Sequence, residues 1–235
     1  MTQRCLGMVA VATIAIGSAA ACSSSPHSDA PDDREAIREA VLDVRANGCG
    51  PRETFGTASL VDDTHALTAA HVVAGADEVS VIDQDGESHS VDVVLFDPDL
   101  DLAVLSTPAD LGAPLGIADE RVEAGTLGVV GFARLVDGEV VTRLTDVDVL
   151  RHVDIDTTDI YLDESVTRSG FEVDAAIDPG DSGGAVVVDG QVVGIIWARS
   201  TKNGERAWAI DIPDIVSEPG RLAALTPVET GPCVR

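Results

Sequence analysis

The amino-acid sequence predicts an all-β protein made of many short strands. After Pro51, apolar or alternating runs are separated by turn residues, and no long helical pattern lies between them. Asp-Gly pairs that begin at Asp85, Asp137 and Asp189 lie between such runs, as is typical of tight β-hairpins. These observations predict an antiparallel barrel or sandwich.

The strands fall into two sets on either side of residues 108–123, a segment with proline, glycine and charge but few strand formers. The first set, in a barrel at about 50–108, is predicted at 55–61, 65–69, 78–82, 88–96 and 102–106. The second set, in a barrel at about 122–212, is predicted at 125–134, 139–150, 161–166, 171–173, 185–188, 191–198 and 207–212. Residues 213–235 follow as a C-terminal tail.

Two helices are expected outside the strands. An N-terminal helix at 32–48 is predicted because apolar residues recur at helical spacing, with acidic residues early and a basic residue late. The apolar positions are Ala36, Ile37, Ala40, Val41 and Val44. A short C-terminal helix is expected between Pro213 and Leu225, with an interruption at Pro219-Gly220.

The composition indicates an acidic protein with an aliphatic core. Its 235 residues are 45% hydrophobic but only 3% aromatic, so Val, Leu, Ile and Ala are expected to form most of the core. A total of 41 acidic residues against 15 basic ones gives a net charge of -26, which argues against nucleic acid or an anionic bilayer surface as a partner. The histidines lack neighbours at metal-ligand spacing, so no metal site is predicted.

The N-terminus indicates an exported protein. Residues 1–21 contain Arg4, an apolar run over 6–16 and then small residues, and this run is shorter than the roughly 20 residues of a membrane-spanning helix. The run Ala19-Ala20-Ala21-Cys22 resembles a bacterial lipoprotein cleavage site, which predicts lipidation of Cys22 and anchoring to the outer face of the cytoplasmic membrane. Ordinary signal cleavage with secretion is the alternative. Residues 22–31 are predicted to form a flexible spacer.

The chain has four cysteines, of which Cys5 would leave with the signal and Cys22 would carry lipid. Cys49 and Cys233 remain, and in an oxidising compartment they are expected to form a disulfide. Two free thiols are the alternative.

Three separate motifs predict nucleophilic catalysis. The run Gly180-Asp181-Ser182-Gly183-Gly184 places a hydroxyl on a glycine-flanked turn before an apolar strand. His71 directly follows an apolar strand, and Asp101 directly precedes another. A serine becomes a good nucleophile when a base takes its proton and nearby donors stabilise the oxyanion. A carboxylate fixes the tautomer of that base, so the three side chains together could form a catalytic triad.

With these motifs in the order His, Asp, Ser, residues 55–212 resemble the chymotrypsin-like serine proteases. The Asp-Leu-Ala-Val-Leu segment at 101–105 is most similar to bacterial members of the HtrA type, without their appended peptide-binding module. The resemblance implies two antiparallel six-stranded β-barrels within a protease domain at 49–235. It also implies a serine endopeptidase with no cofactor, which acts on polypeptides through Ser182, His71 and Asp101, with the N–H groups of Gly180 and Ser182 as the oxyanion hole.

The resemblance further implies where substrate would bind. Ala176 would lie at the first specificity pocket, and the strand Ile196-Trp197-Ala198 would pair with an extended substrate. Arg199 and Arg206 flank that strand, so a preference for acidic or for small apolar side chains remains open.

Two further alternatives stay open. Asp181 needs a cationic partner if it is buried, and Arg134, Arg143 and Arg168 are the candidates. A non-catalytic cell-envelope binding protein on the same fold is the alternative function. The sequence predicts no particular oligomeric state.

Overall fold

The computed structural model describes residues 33–212, 216 and 220–234. The predicted signal peptide at 1–21 and spacer at 22–31 lie outside these residues. Within the described residues, twelve strands form two closed, six-stranded antiparallel barrels, which confirms the predicted fold class. No helix of this part of the chain is long and apolar enough to cross a membrane.

The first barrel is built from six strands that follow one another within residues 41–106. Its strands are β1 (Val41–Asn47), β2 (Thr54–Asp62), β3 (His65–Thr68), β4 (Glu78–Ile82), β5 (Ser88–Asp97) and β6 (Leu102–Ser106). The spatial order is β1-β2-β3-β6-β5-β4, and β4 pairs back with β1 to close the barrel. Helix α1 (Asp33–Ala40) precedes β1, and the one-turn helix α2 (Ala70–Val73) follows β3.

The second barrel repeats this closure with longer strands. They are β7 (Leu127–Val136), β8 (Glu139–Thr158), β9 (Ser165–Val173), β10 (Ala185–Val188), β11 (Gln191–Arg199) and β12 (Ala207–Asp211). The spatial order is β10-β11-β12-β9-β8-β7, with β7 paired to β10. Aliphatic side chains and a few aromatic ones fill the two barrels, as the composition predicted.

The predicted N-terminal helix at 32–48 is wrong beyond Ala40. Residues Val41–Asn47 form β1, which pairs with both β2 and β4 and completes the first barrel. Val41, Leu42 and Val44 are buried on both faces of this strand, because one face points into the barrel and the other meets the second barrel. A strand buried on both faces has no polar alternation, so its apolar pattern cannot be distinguished from that of a helix.

In the second barrel two predicted boundaries are also wrong. Strand β8 continues to Thr158, and a single strand, β9 at Ser165–Val173, replaces the two predicted at 161–166 and 171–173. Residues 159–164 form a turn, in which the backbone N–H of Asp159 bonds to the carbonyl of Glu164. In the tail, a short 3₁₀ turn lies at Leu222–Ala224, and residues 213–215 and 217–219 of the predicted helix lie outside the described residues.

Cys49 and Cys233 form a disulfide, with their Cα atoms 5.5 Å apart. The same tail is held to the first barrel by backbone hydrogen bonds from Gly75 N–H to Thr230 and from Val228 N–H to Val93. The C-terminal segment is therefore fastened along the first barrel.

Candidate active site

His71 and Asp101 meet because β3 and β6 are antiparallel neighbours. The pairing of Thr68 with Ala103 brings α2, at the end of β3, beside the turn that leads into β6. His71 Nδ1 lies 2.8 Å from Asp101 Oδ2, and the His71 backbone N–H donates to Oδ1 at 2.9 Å. Asp101 is buried and has φ of 62°, a left-handed conformation that costs energy for a residue with a side chain. The turn thus holds the carboxylate against the imidazole.

The pKa of His71 is raised above its ordinary value. Burial alone lowers this pKa, but the charge of Asp101 and its hydrogen bond to the ring together outweigh burial. The positive charge of Arg168 lowers the pKa of His71 and opposes part of this increase. Asp101 thus favours the imidazolium form, the form that a general base takes after it accepts a proton.

Ser182 lies on a turn between the two barrels. Its carbonyl accepts a hydrogen bond from Thr57 N–H of β2 at 2.9 Å, while Gly183 N–H donates to Ile196 of β11 at 2.9 Å. A Cβ atom on Gly183 would overlap the Thr57 carbonyl oxygen and come within 3.0 Å of the Ala69 nitrogen. The serine turn therefore packs against the chain just before His71. Among the described residues, no hydrogen bond joins the Ser182 hydroxyl to His71.

Two backbone N–H groups of this turn have no acceptor among the described residues, and they belong to Gly180 and Ser182. Their neighbours are all satisfied: Asp181 N–H bonds to Asp178, and Gly184 N–H bonds to Asp181. Gly180 has φ of +98°, and a Cβ atom there would lie 2.6 Å from the ring of Phe55. Only glycine fits this position. The turn therefore has one free N–H donor before Asp181, on Gly180, and one after it, on Ser182.

Asp181 is buried and forms an ion pair with Arg143 of β8. Its Oδ2 also accepts the Asp178 N–H at 2.7 Å. The structure thus selects Arg143 from the three candidate arginines. Its guanidinium also lies 4.3 Å from the centroid of the Phe132 ring. Because a buried carboxylate needs a partner, this pair stabilises the turn between the two free N–H groups.

Arg168, which the sequence analysis named only as a candidate partner of Asp181, is a buried cation beside Asp101. Its Nε donates to the Asp99 carbonyl at 2.6 Å, and its guanidinium lies 4.6 Å from the centroid of the Trp197 indole. The residue is 4% exposed and connects β9 to the turn that carries Asp101. Burial lowers the pKa of Arg168, and nearby Asp101 opposes that effect. Side chains alternate between the two faces of a strand, and Arg168 lies on the same face of β9 as Val166 and Gly170. This alternation was the sequence signal that could have indicated its burial.

The predicted substrate-binding residues lie on β11 and on residues 174–179, the segment that leads into the serine turn. The surface that they form beside this turn is called the crevice. Ala176 is exposed on the segment between β9 and the serine turn, while Ile196 is buried. Trp197 occupies a β-bulge of β11, and Ala198 beside it is partly exposed. Arg199 is exposed and donates from Nη1 to the Ile177 carbonyl at 3.1 Å. It therefore links β11 to the segment that carries Ala176.

Arg206, the other flanking arginine, is paired with Glu172. Arg151 contacts the same carboxylate at 2.6 Å. Burial raises the pKa of Glu172, but the two arginines outweigh burial, so this pKa is lowered. Arg206 is thus held within the sheet by a carboxylate that it shares with Arg151. Among the described residues, no group of three or more His, Cys, Asp or Glu side chains is arranged to hold a metal ion.

Residues 56–195 match the family described as the trypsin-like peptidase domain. Among curated proteins, the chain is 30% identical over 182 residues to the serine protease Rv3671c of Mycobacterium tuberculosis, which covers 76% of this chain and 45% of that protein. It is 31% identical over 157 residues to a probable periplasmic serine endoprotease, DegP-like, of Halomonas elongata, which covers 65% of this chain and 31% of that protein. The chain thus spans less than half the length of these relatives.

The fold is also similar to solved structures. The active form of the Rv3671c protease superimposes with a TM-score of 0.77 at 28% identity, over 87% of this chain and 89% of that chain. The inactive form gives a TM-score of 0.66 at 27% identity, over 81% and 91%. The chain is therefore more similar in backbone to the active form.

Proposed function

The chain belongs to the trypsin-like peptidase family, and on that premise we propose that it is a serine endopeptidase. In this proposal His71 takes the proton of the Ser182 hydroxyl while Oγ attacks the carbonyl carbon of a peptide bond. The imidazolium then gives that proton to the leaving amine, and an ester with Ser182 remains. Water hydrolyses the ester with His71 again as the base.

One observation carries this proposal: the Asp101–His71 pair lies beside a serine turn whose Gly180 and Ser182 N–H groups have no protein acceptor. These donors could bind the oxyanion of the tetrahedral intermediate, an interaction worth about 3–4 kcal/mol per donor in measured cases. Ser182 is partly exposed, and its hydroxyl can rotate about the Cα–Cβ bond. Catalytic hydrogen bonds often form only when substrate is present.

The test is covalent labelling with a fluorophosphonate probe, which reacts with an activated serine. We expect the native protein to be labelled and Ser182→Ala to lose the label, while the control Ser169→Ala, an exposed serine of β9, keeps it. Labelling that persists in Ser182→Ala rejects this nucleophile. A native protein that binds polypeptides without labelling or cleavage supports the binding-protein alternative instead.

We also propose that the protein is exported and anchored by lipid on Cys22. The signal-like residues 1–21 support this proposal, and so does the Cys49–Cys233 disulfide, which is a feature of oxidising compartments. Metabolic labelling with an alkyne fatty acid should mark the native protein in the membrane fraction and not Cys22→Ala. Unmodified protein in the medium would support secretion after ordinary signal cleavage.

A further inference from the structure

Of the twelve arginines in the described part of the chain, seven form ion pairs with carboxylates. Those in ion pairs are Arg34, Arg38, Arg45, Arg121, Arg143, Arg151 and Arg206. Such pairing is expected where 41 acidic residues surround 15 basic ones. At the crevice, Arg134 and Arg199 differ, because neither has a carboxylate within 4 Å among the described residues.

Both arginines are held by the segment that leads into the serine turn. Arg134 of β7 donates to the Pro179 carbonyl, and Arg199 of β11 donates to the Ile177 carbonyl at 3.1 Å. Each guanidinium has five N–H donors in a fixed plane, so most of them stay available after these bonds. The two cations are therefore positioned but not neutralised.

The serine turn lies between β2 and β11, because the Ser182 carbonyl accepts from Thr57 N–H of β2 and Gly183 N–H donates to Ile196 of β11. Each arginine lies toward one of these two strands. Arg199 follows Trp197 and Ala198 on β11, the strand expected to pair with the acyl side of an extended substrate. Arg134 lies against Gly180, whose added Cβ would be 2.8 Å from Nη2, and its guanidinium is 5.6 Å from the centroid of the Phe55 ring. Phe55 is 40% exposed and belongs to β2 of the first barrel, whereas β11 belongs to the second.

The neighbouring carboxylates do not neutralise these two charges. Asp181 is paired with Arg143, and Asp101 is paired with His71. Asp43 and Glu53 are both paired with Arg45. The exposed Asp178 lies in the same segment, and it forms no ion pair with either arginine. The crevice therefore has local positive charge in a protein of net charge -26.

We infer that this crevice selects polypeptides with acidic side chains on both sides of the scissile bond, with Arg199 on the acyl side and Arg134 on the leaving-group side. Guanidinium groups bind carboxylates through paired hydrogen bonds, which favours Glu or Asp over their amides. The distant negative charge of the protein matters less, because salt screens charges beyond about 8 Å at physiological ionic strength. This inference rests on the proposed peptidase function.

The test compares internally quenched peptides that carry Glu or Gln at one position on either side of the cleaved bond. For the native protein we expect kcat/KM to be about tenfold higher for Glu than for Gln at each side, as for one partly desolvated charge pair. Arg199→Gln should abolish the Glu preference on the acyl side only, and Arg134→Gln on the leaving-group side only. Arg199→Glu should reverse the acyl-side preference toward Lys.

The matched control is Arg151→Gln, which removes an exposed arginine from the outer surface of the same barrel and should keep both Glu/Gln ratios. Ratios near one in the native protein, or cleavage only after small apolar residues, would overturn the inference. Fluorophosphonate labelling does not depend on peptide side chains. Labelling without a Glu preference therefore rejects the substrate class alone, whereas absent labelling rejects the peptidase function.

Discussion

The protonation of His71 is controlled by two neighbours of opposite charge, Asp101 and Arg168. Asp101 raises the pKa of the imidazole, and Arg168 lowers it from the side of β9. A general base must be neutral, so the acid limb of kcat/KM should follow the raised pKa of His71. Because its folded pKa is raised, His71 contributes stability that is present at low pH and is lost as pH rises through that value.

Arg168→Met should therefore raise the pKa of His71 further, because it removes the opposing charge. The acid limb of a pH–kcat/KM profile should move to higher pH, and NMR titration of the His71 ring should show the same shift. Arg168→Lys keeps the positive charge and should retain more of the native pKa, while it loses the planar contact with Trp197. An unchanged or lower His71 pKa in Arg168→Met would contradict this electrostatic role.

At the level of the element, the serine turn depends on glycine for space as well as for backbone conformation. Gly183 has φ of +89°, and an added Cβ would overlap the Thr57 carbonyl oxygen. Gly183→Ala should displace the turn, with loss of fluorophosphonate labelling and a lower melting temperature. Gly125 has nearly the same φ, +88°, but open space around its Cα, so Gly125→Ala isolates the conformational cost of about 1–3 kcal/mol.

If Gly183→Ala were labelled as strongly as the native protein, the turn would tolerate a shift away from Thr57. A loss of labelling in Gly125→Ala as well would mean that backbone conformation alone accounts for the effect.

Local patterns in the sequence predicted most strands and the three chemical motifs, because each is a short run with its own alternation or turn residues. The assignment of Val41–Asn47 failed because burial between two barrels removes the alternation that marks a strand. The partner of Asp181 stayed open because it depends on the β7–β8 register. That register pairs Phe132 with Arg143 and brings the guanidinium to the serine turn.

The place of Arg168 beside His71 and Asp101 was missed for a related reason. Its inward position on β9 follows from alternation, but its two carbonyl acceptors come from a turn of the other barrel. Contacts between barrels depend on tertiary packing, which no local pattern encodes.

For the whole molecule, the Cys49–Cys233 disulfide joins chain positions 184 residues apart. Chain-entropy arguments assign about 5 kcal/mol to so long a loop, and measured values are often lower. We expect Cys49→Ser with Cys233→Ser to lower the melting temperature by several degrees, and reductant to reproduce the effect in the native protein. Cys22→Ser, outside the disulfide, is the control. An equal melting temperature with and without the disulfide would show that backbone bonds of the tail suffice.

The net charge of -26 predicts that salt stabilises this protein. Like charges repel more strongly in the folded state than in the expanded unfolded chain. Salt reduces that repulsion, because the screening length falls from about 30 Å at 0.01 M to about 3 Å at 1 M. Salt also weakens exposed pairs such as Arg34–Asp146, but each contributes at most about 1 kcal/mol. Acidic residues outnumber basic ones 41 to 15, so repulsion dominates.

The melting temperature should therefore rise as sodium chloride increases from about 0.01 M to about 0.5 M, a range where screening changes most. A variant with Asp119→Asn, Glu120→Gln and Glu123→Gln, all exposed, carries less negative charge and should show a smaller rise. Equal slopes for the two proteins would mean that salt acts through apolar hydration rather than through charge. A melting temperature that falls with salt would mean that the surface ion pairs outweigh the repulsion.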